Sequence, residues 1–102
     1  MSAAKIEKQG TTLNVCPEGR LDTVLAPQLE KELEPYLADV NLIVMDFSGV
    51  EYISSAGLRV LMRLEQETEN RGGEVQVTHA HEGVLKVFEL AGFMSVVHVI
   101  RE

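Results

Sequence analysis

Asp46, Ser48, Ser54 and Ser55 lie within ten residues of one another, and the stretch they occupy closes on Gly57. The run before Asp46 is apolar and the run after Gly57 has helical spacing, so the two adjacent serines fall where a helix begins. Backbone amides there lack intrahelical acceptors, and the helix dipole favours negative charge. A serine at that place can cap the helix. It can also accept a phosphoryl group, whose dianion those amides stabilise. Asp22, at an earlier helix entrance, and Asp46 are short carboxylates at strand or turn ends. If both converge on Ser54 and Ser55, an added phosphate meets repulsion and the loop behaves as a charge switch. By propensity alone the capping reading leads, and the carboxylates read as caps or solvated groups.

Other chemistries find less support. His79 and His81 stand at strand spacing with no third ligand signalled, short of the three or four that a metal needs. Ile53 stands where a Gly-x-Ser-x-Gly elbow around Ser55 would have its first glycine. The glycines form neither a dinucleotide fingerprint nor a phosphate-binding loop. Ser48-x-x-Glu51 matches a capping box by chance, and Cys16 reads as a small strand hydrophobe. No catalytic residue, metal or cofactor is expected.

The elements that must position the serines follow from periodicity. Lys5–Gln9 and Thr12–Cys16 read as a hairpin, broken at Pro17, with a short extended piece at Gly19–Asp22. Leu25, Leu29, Leu33 and Leu37 recur every four residues over 24–38, an amphipathic helix that Pro35 kinks or ends early. Leu42-Ile43-Val44-Met45 suits a central strand buried on both faces. Residues 48–53 read as a loop with apolar anchors. Leu58, Leu61, Met62 and Glu65 continue a second helix that stops at Gly72-Gly73. Glu74–Thr78 alternates as a strand, Glu82–Ala91 is a third helix, and Ser95–Ile100 is a last strand. The order β-β-α-β-α-β-α-β implies an α/β sandwich on a mixed, mostly parallel sheet. The serine loop then lies at the carboxyl end of the sheet, where such folds carry sites.

Composition narrows the field. The 102 residues carry 9 basic and 16 acidic side chains, a formal charge of −7, which excludes broad phosphate-backbone binding to nucleic acid. The apolar fraction of 45% allows one globular domain over 1–102. One cysteine excludes an internal disulfide, and no run approaches a membrane span. With no hydrophobic signal core near the start, the expectation is a cytoplasmic protein without membrane insertion.

The run Asp46-x-Ser48-x-Val50-x-Tyr52-Ile53-Ser54-Ser55-Ala56-Gly57-Leu58 resembles the phosphorylation loop of STAS domains. Gly19-Arg20-Leu21-Asp22, Gly72-Gly73 and Leu90-Ala91-Gly92-Phe93 extend the likeness over nearly the whole chain. A lone domain resembles the bacterial anti-sigma factor antagonist branch. That resemblance implies a monomeric, non-enzymatic switch in a partner-switching pathway. Its unphosphorylated form sequesters an anti-sigma factor serine kinase with a histidine-kinase-like ATPase fold. Phosphorylation releases that partner, and a metal-dependent PPM-type serine phosphatase resets the switch. The acceptor falls on Ser55, with Ser54 as runner-up. The phosphosite environment comprises Asp22, Asp46, Ser48, Ser54, Ala56 and Gly57. The helix after Ser55 is the docking surface, with Arg59 and Arg63 as contacts; a solvated helix face with local salt bridges is the competing reading for both. Two positions depart from the family, Ser54 where Asp is frequent and Ala56 where Ser or Thr is frequent. The first departure favours an alternative, a STAS scaffold subunit of a transport or other regulatory complex that is never phosphorylated.

Overall fold

One long strand sets the layout in the computed structural model, which describes residues 3–100. β1 (Ala4–Gln9) turns at Gly10 into β2 (Thr12–Leu21), which runs antiparallel to it. There follow α1 (Leu25–Leu33), β3 (Leu42–Asp46), β4 (Gly49–Ile53), α2 (Ser55–Glu69), β5 (Glu74–Thr78), α3 (Glu82–Ala91) and β6 (His98–Ile100). The main sheet has the order β1-β2-β3-β5-β6, parallel everywhere except at the β1–β2 hairpin. The expected α/β sandwich is therefore present, with one strand more than the sequence order contains.

That strand is β4, which replaces the expected loop at 48–53. β2 pairs with β3 over Thr12–Val15 and then with β4 over Glu18–Leu21. β4 thus continues the lane that β3 vacates. Its register shifts so that Gly19 faces Val50 and Arg20 faces Tyr52, which leaves Glu51 as an extra, bulged residue. The bulge spaces the buried Val50 and Ile53 three apart and hides the period of two.

Pro17 does not break β2 either. The Glu18 amide donates to the Ala3 carbonyl in the direction of β1. By strand alternation the nitrogen of Pro17 faces the other way, at the gap between β3 and β4 where no donor is required. Pro35 acts as expected, since α1 ends at Leu33 and a 3-10 turn, Glu34–Tyr36, takes over.

The helices cover one sheet face. Leu13, Ile43 and Val75 align across three strands, as do Val15, Met45 and Val77, and all six are buried. Asn14, Val44 and Gln76 align on the opposite face, which stays half-exposed. β3 is accordingly buried on one face, not two. On α2 the inward residues are Val60, Leu61, Leu64 and Thr68, whereas Met62 is 40% exposed. Phe88 on α3 packs against Phe47 and Phe93 with ring centroids 6.2 and 6.1 Å apart. Each fully buried ring of this kind stabilises the fold by roughly 2–3 kcal/mol. Among the described residues no helix is long and apolar enough to cross a membrane.

Candidate functional site

The carboxyl ends of β2 and β4 and the start of α2 are tied at one atom, the carbonyl oxygen of Leu21. Ser54 is the extended residue before α2 (φ −101°, ψ 178°), and its amide and its Oγ each donate to that oxygen at 3.0 Å. The Leu58 amide then donates to the Ser54 carbonyl at 3.0 Å and opens the helix. Gly57 permits the close fit: a Cβ there would lie 2.6 Å from Ile53 Cγ1 and 2.9 Å from the Leu21 oxygen. The glycine after the serine pair is thus a packing requirement.

The two serines consequently differ. Ser54 is half-buried and its hydroxyl is engaged, so it does not cap the first-turn amides of α2. Ser55 is the first residue of α2, exposed, with a hydroxyl that has no hydrogen-bond partner among the described residues. Open amides and a free hydroxyl at a helix start suit an added phosphoryl group. Among the described residues no side chain is hydrogen-bonded to the Ser55 hydroxyl, the contact that a general base makes with its nucleophile.

The two arginines of α2 also separate. Arg63 donates to Glu30 and Glu34 at 2.8 Å each, with Glu67 at 3.9 Å, and so clamps α2 to α1 and to the 3-10 turn that follows it. Its pKa is raised, first by the hydrogen bond to Glu30 and then by that to Glu34. Arg59 is exposed and has no hydrogen-bond or ion-pair partner among the described residues. Both line a groove of about 370 Å³ between the helices, with Pro27, Glu30, Ala56 and Val60.

The carboxylates do not converge as expected. Asp22 follows Leu21, so the Leu21 tether brings it beside Ser54. Its Oδ1 accepts from the Val24 and Leu25 amides at 3.0 Å and caps α1. Those bonds, that from Leu25 first, hold its carboxyl below the usual value. Asp46 lies at the other end of β4 and on the half-exposed sheet face. At about 3.3 Å per residue, five strand residues separate it from Ser54 by roughly 15 Å. There Asp46 Oδ1 accepts from the Ser48 amide at 3.0 Å and lies 3.3 Å from His79 Nδ1. The Ser48 amide, ahead of His79, lowers the Asp46 pKa. The Ser48 carbonyl lies 3.2 Å from His81 Nε2, and Cys16 Sγ lies 4.0 Å from Asp46 Oδ2. Burial, then the Asp46 charge, pushes the Cys16 thiol up and leaves it a poor nucleophile. The described residues contain no group of three or more side chains placed to hold a metal.

Sequence reasoning missed the Leu21 carbonyl, a backbone group that carries no residue signal. It also missed Arg20 stacked over the Tyr52 ring at 4.5 Å, which only the β2–β4 pairing brings together. The partners of Arg63 had a partial signal in Glu67, four residues along the same helix.

A family model described as the STAS domain matches residues 3–102. BtrV of Bordetella bronchiseptica, a protein named as an anti-sigma factor antagonist, is 33% identical over 92 residues, covering 89% of this chain and 79% of that protein. The fold matches the anti-sigma factor antagonist SpoIIAA in its unphosphorylated form, with a TM-score of 0.84 at 20% identity over 98% of this chain and 90% of that one. It also matches SpoIIAA of Bacillus in its phosphorylated form, with a TM-score of 0.75 at 19% identity, covering 98% of this chain and 93% of that one.

Proposed function

From a chain that belongs to the STAS domain family, with an anti-sigma factor antagonist as a 33% identical relative, we propose a partner-switching antagonist phosphorylated at Ser55. The observation that carries this reading is the difference between adjacent serines: Ser54 is tethered to Leu21, and Ser55 is exposed with a free hydroxyl. In its unphosphorylated form the protein sequesters an anti-sigma factor that is also a serine kinase. That partner transfers the γ-phosphoryl group of ATP to Ser55 Oγ, the hydroxyl proton leaves, and ADP departs.

The switch is electrostatic and needs no refolding. The phosphate adds about −1.5 to −2 charges to a surface fitted to a neutral hydroxyl. Burying that charge unpaired against the partner costs several kcal/mol, and each ~1.4 kcal/mol is tenfold in affinity. A PPM-type serine phosphatase restores the binding form. The protein serves as substrate and docking surface, not as a catalyst. Ala56 narrows the choice of acceptor, because the position after Ser55 offers no hydroxyl.

The test is to incubate the protein with the kinase-type anti-sigma factor of its own organism and ATP, then map phosphate by mass spectrometry. Phosphate is expected on Ser55, with labelling lost in Ser55→Ala. Absence of phosphate from both Ser54 and Ser55 would contradict the reading.

A further inference from the structure

Arg59 is the residue of α2 whose chemistry the fold leaves unused. Ser55 and Arg59 are four residues apart, so they share one helix face with Cβ atoms roughly 5–6 Å apart. Helical side chains lean towards the N-terminus, which lays the Arg59 stem over the turn that Ser55 begins. The neighbouring charges are already engaged. Glu30, the carboxylate that shares the groove with Arg59, accepts from Arg63 at 2.8 Å. Asp22 faces the Val24 and Leu25 amides. Arg63 is held by Glu30 and Glu34 and is not free to turn.

We propose that Arg59 is the internal counterion of phosphorylated Ser55, its guanidinium donating to two phosphoryl oxygens one helical turn back. A planar guanidinium suits such bidentate contact better than an ammonium does. The inference rests on the reading of Ser55 as the acceptor and extends it. Phosphorylation then does two things at the docking helix: it installs a dianion, and it withdraws from the partner the one α2 cation not already paired among the described residues.

The test uses the full chain with phosphoserine incorporated biosynthetically at position 55, so no kinase is needed. The second ionisation of the phosphate is followed by phosphorus NMR as a function of pH. In the native sequence it should fall below the ordinary value near 6. Arg59→Gln should raise it by about 0.5 pH unit, and Arg59→Lys by less, since charge is retained without the fork. Lys86→Gln, an exposed charge change on α3, should leave it unmoved. A superimposable Arg59→Gln curve, or a Lys86→Gln shift of equal size, would overturn the pairing. A failure of the kinase to label Ser55 is a separate result and would speak against the phosphoacceptor reading alone.

Discussion

β4 has serine at each of its ends, and the two ends are built differently. At the entrance, Ser48 belongs to a closed network. Its amide is bonded to Asp46, its carbonyl meets His81, and Asp46 also meets His79. At the exit, Ser54 takes up the tethering and its neighbour Ser55 is left free. A carboxylate within reach therefore does not mark the free hydroxyl; at the entrance it marks a turn that is held shut. The difference lies in what backbone is available. Asp46 closes a tight turn on itself, whereas the helix start at Ser55 has first-turn amides that no side chain caps among the described residues.

Three perturbations sharpen this contrast. The largest effect is expected at the exit, where Gly57→Ala would push a methyl into Ile53 and the Leu21 oxygen. Overpacking at so close a contact should destabilise the fold by roughly 2–3 kcal/mol, read as a lower urea midpoint. Next comes Ser54→Ala, which removes the hydroxyl bond to Leu21 and should cost about 1 kcal/mol while Ser55 remains available for labelling. Ser48→Ala at the entrance keeps both backbone contacts, loses only the exposed hydroxyl's interaction with Asp46, and should stay within about 0.5 kcal/mol of the native protein. Equal losses for the two serine variants would erase the distinction.

Acid gives the gentlest probe, because it acts on both ends. The Asp22 and Asp46 carboxyls are held below their ordinary value of 3.8 by backbone amides. A depressed folded pKa contributes stability that is present above the unfolded value and lost as pH falls through the folded one. Urea midpoints should therefore drop on acidification below about pH 4. Asp46→Asn should flatten that dependence at the entrance, and Asp22→Asn should do so at the capped start of α1. An unchanged acid slope in both would show that these bonds do not form.

Much of this was legible before any coordinates. The positions of β5 and α3, the early end of α1 at Pro35 and the stop at Gly92, whose φ is +73°, follow from periodicity and from proline and glycine chemistry. β4 was hidden because its bulge at Glu51 spoils the alternation that marks a strand. Pro17 misled because its cost depends on which side of a strand lacks a partner, and only the sheet order supplies that. At the site, the serine pair and the glycine were readable as types. Which serine is free was not, since the deciding acceptor is the Leu21 carbonyl, thirty-three residues from Ser54. Arg59 and Arg63 look alike in sequence and differ chiefly through Glu30 on α1 and Glu34 in the 3-10 turn after it.

The central claim is that charge at Ser55 decides partner binding, and titration calorimetry against the kinase-type anti-sigma factor tests it most directly. Ser55→Ala should bind as tightly as the unphosphorylated protein, whereas the form phosphorylated at Ser55 should bind at least about tenfold more weakly, with Ser55→Asp weakened in the same direction. Equal affinities for the phosphorylated and unphosphorylated proteins would contradict the account.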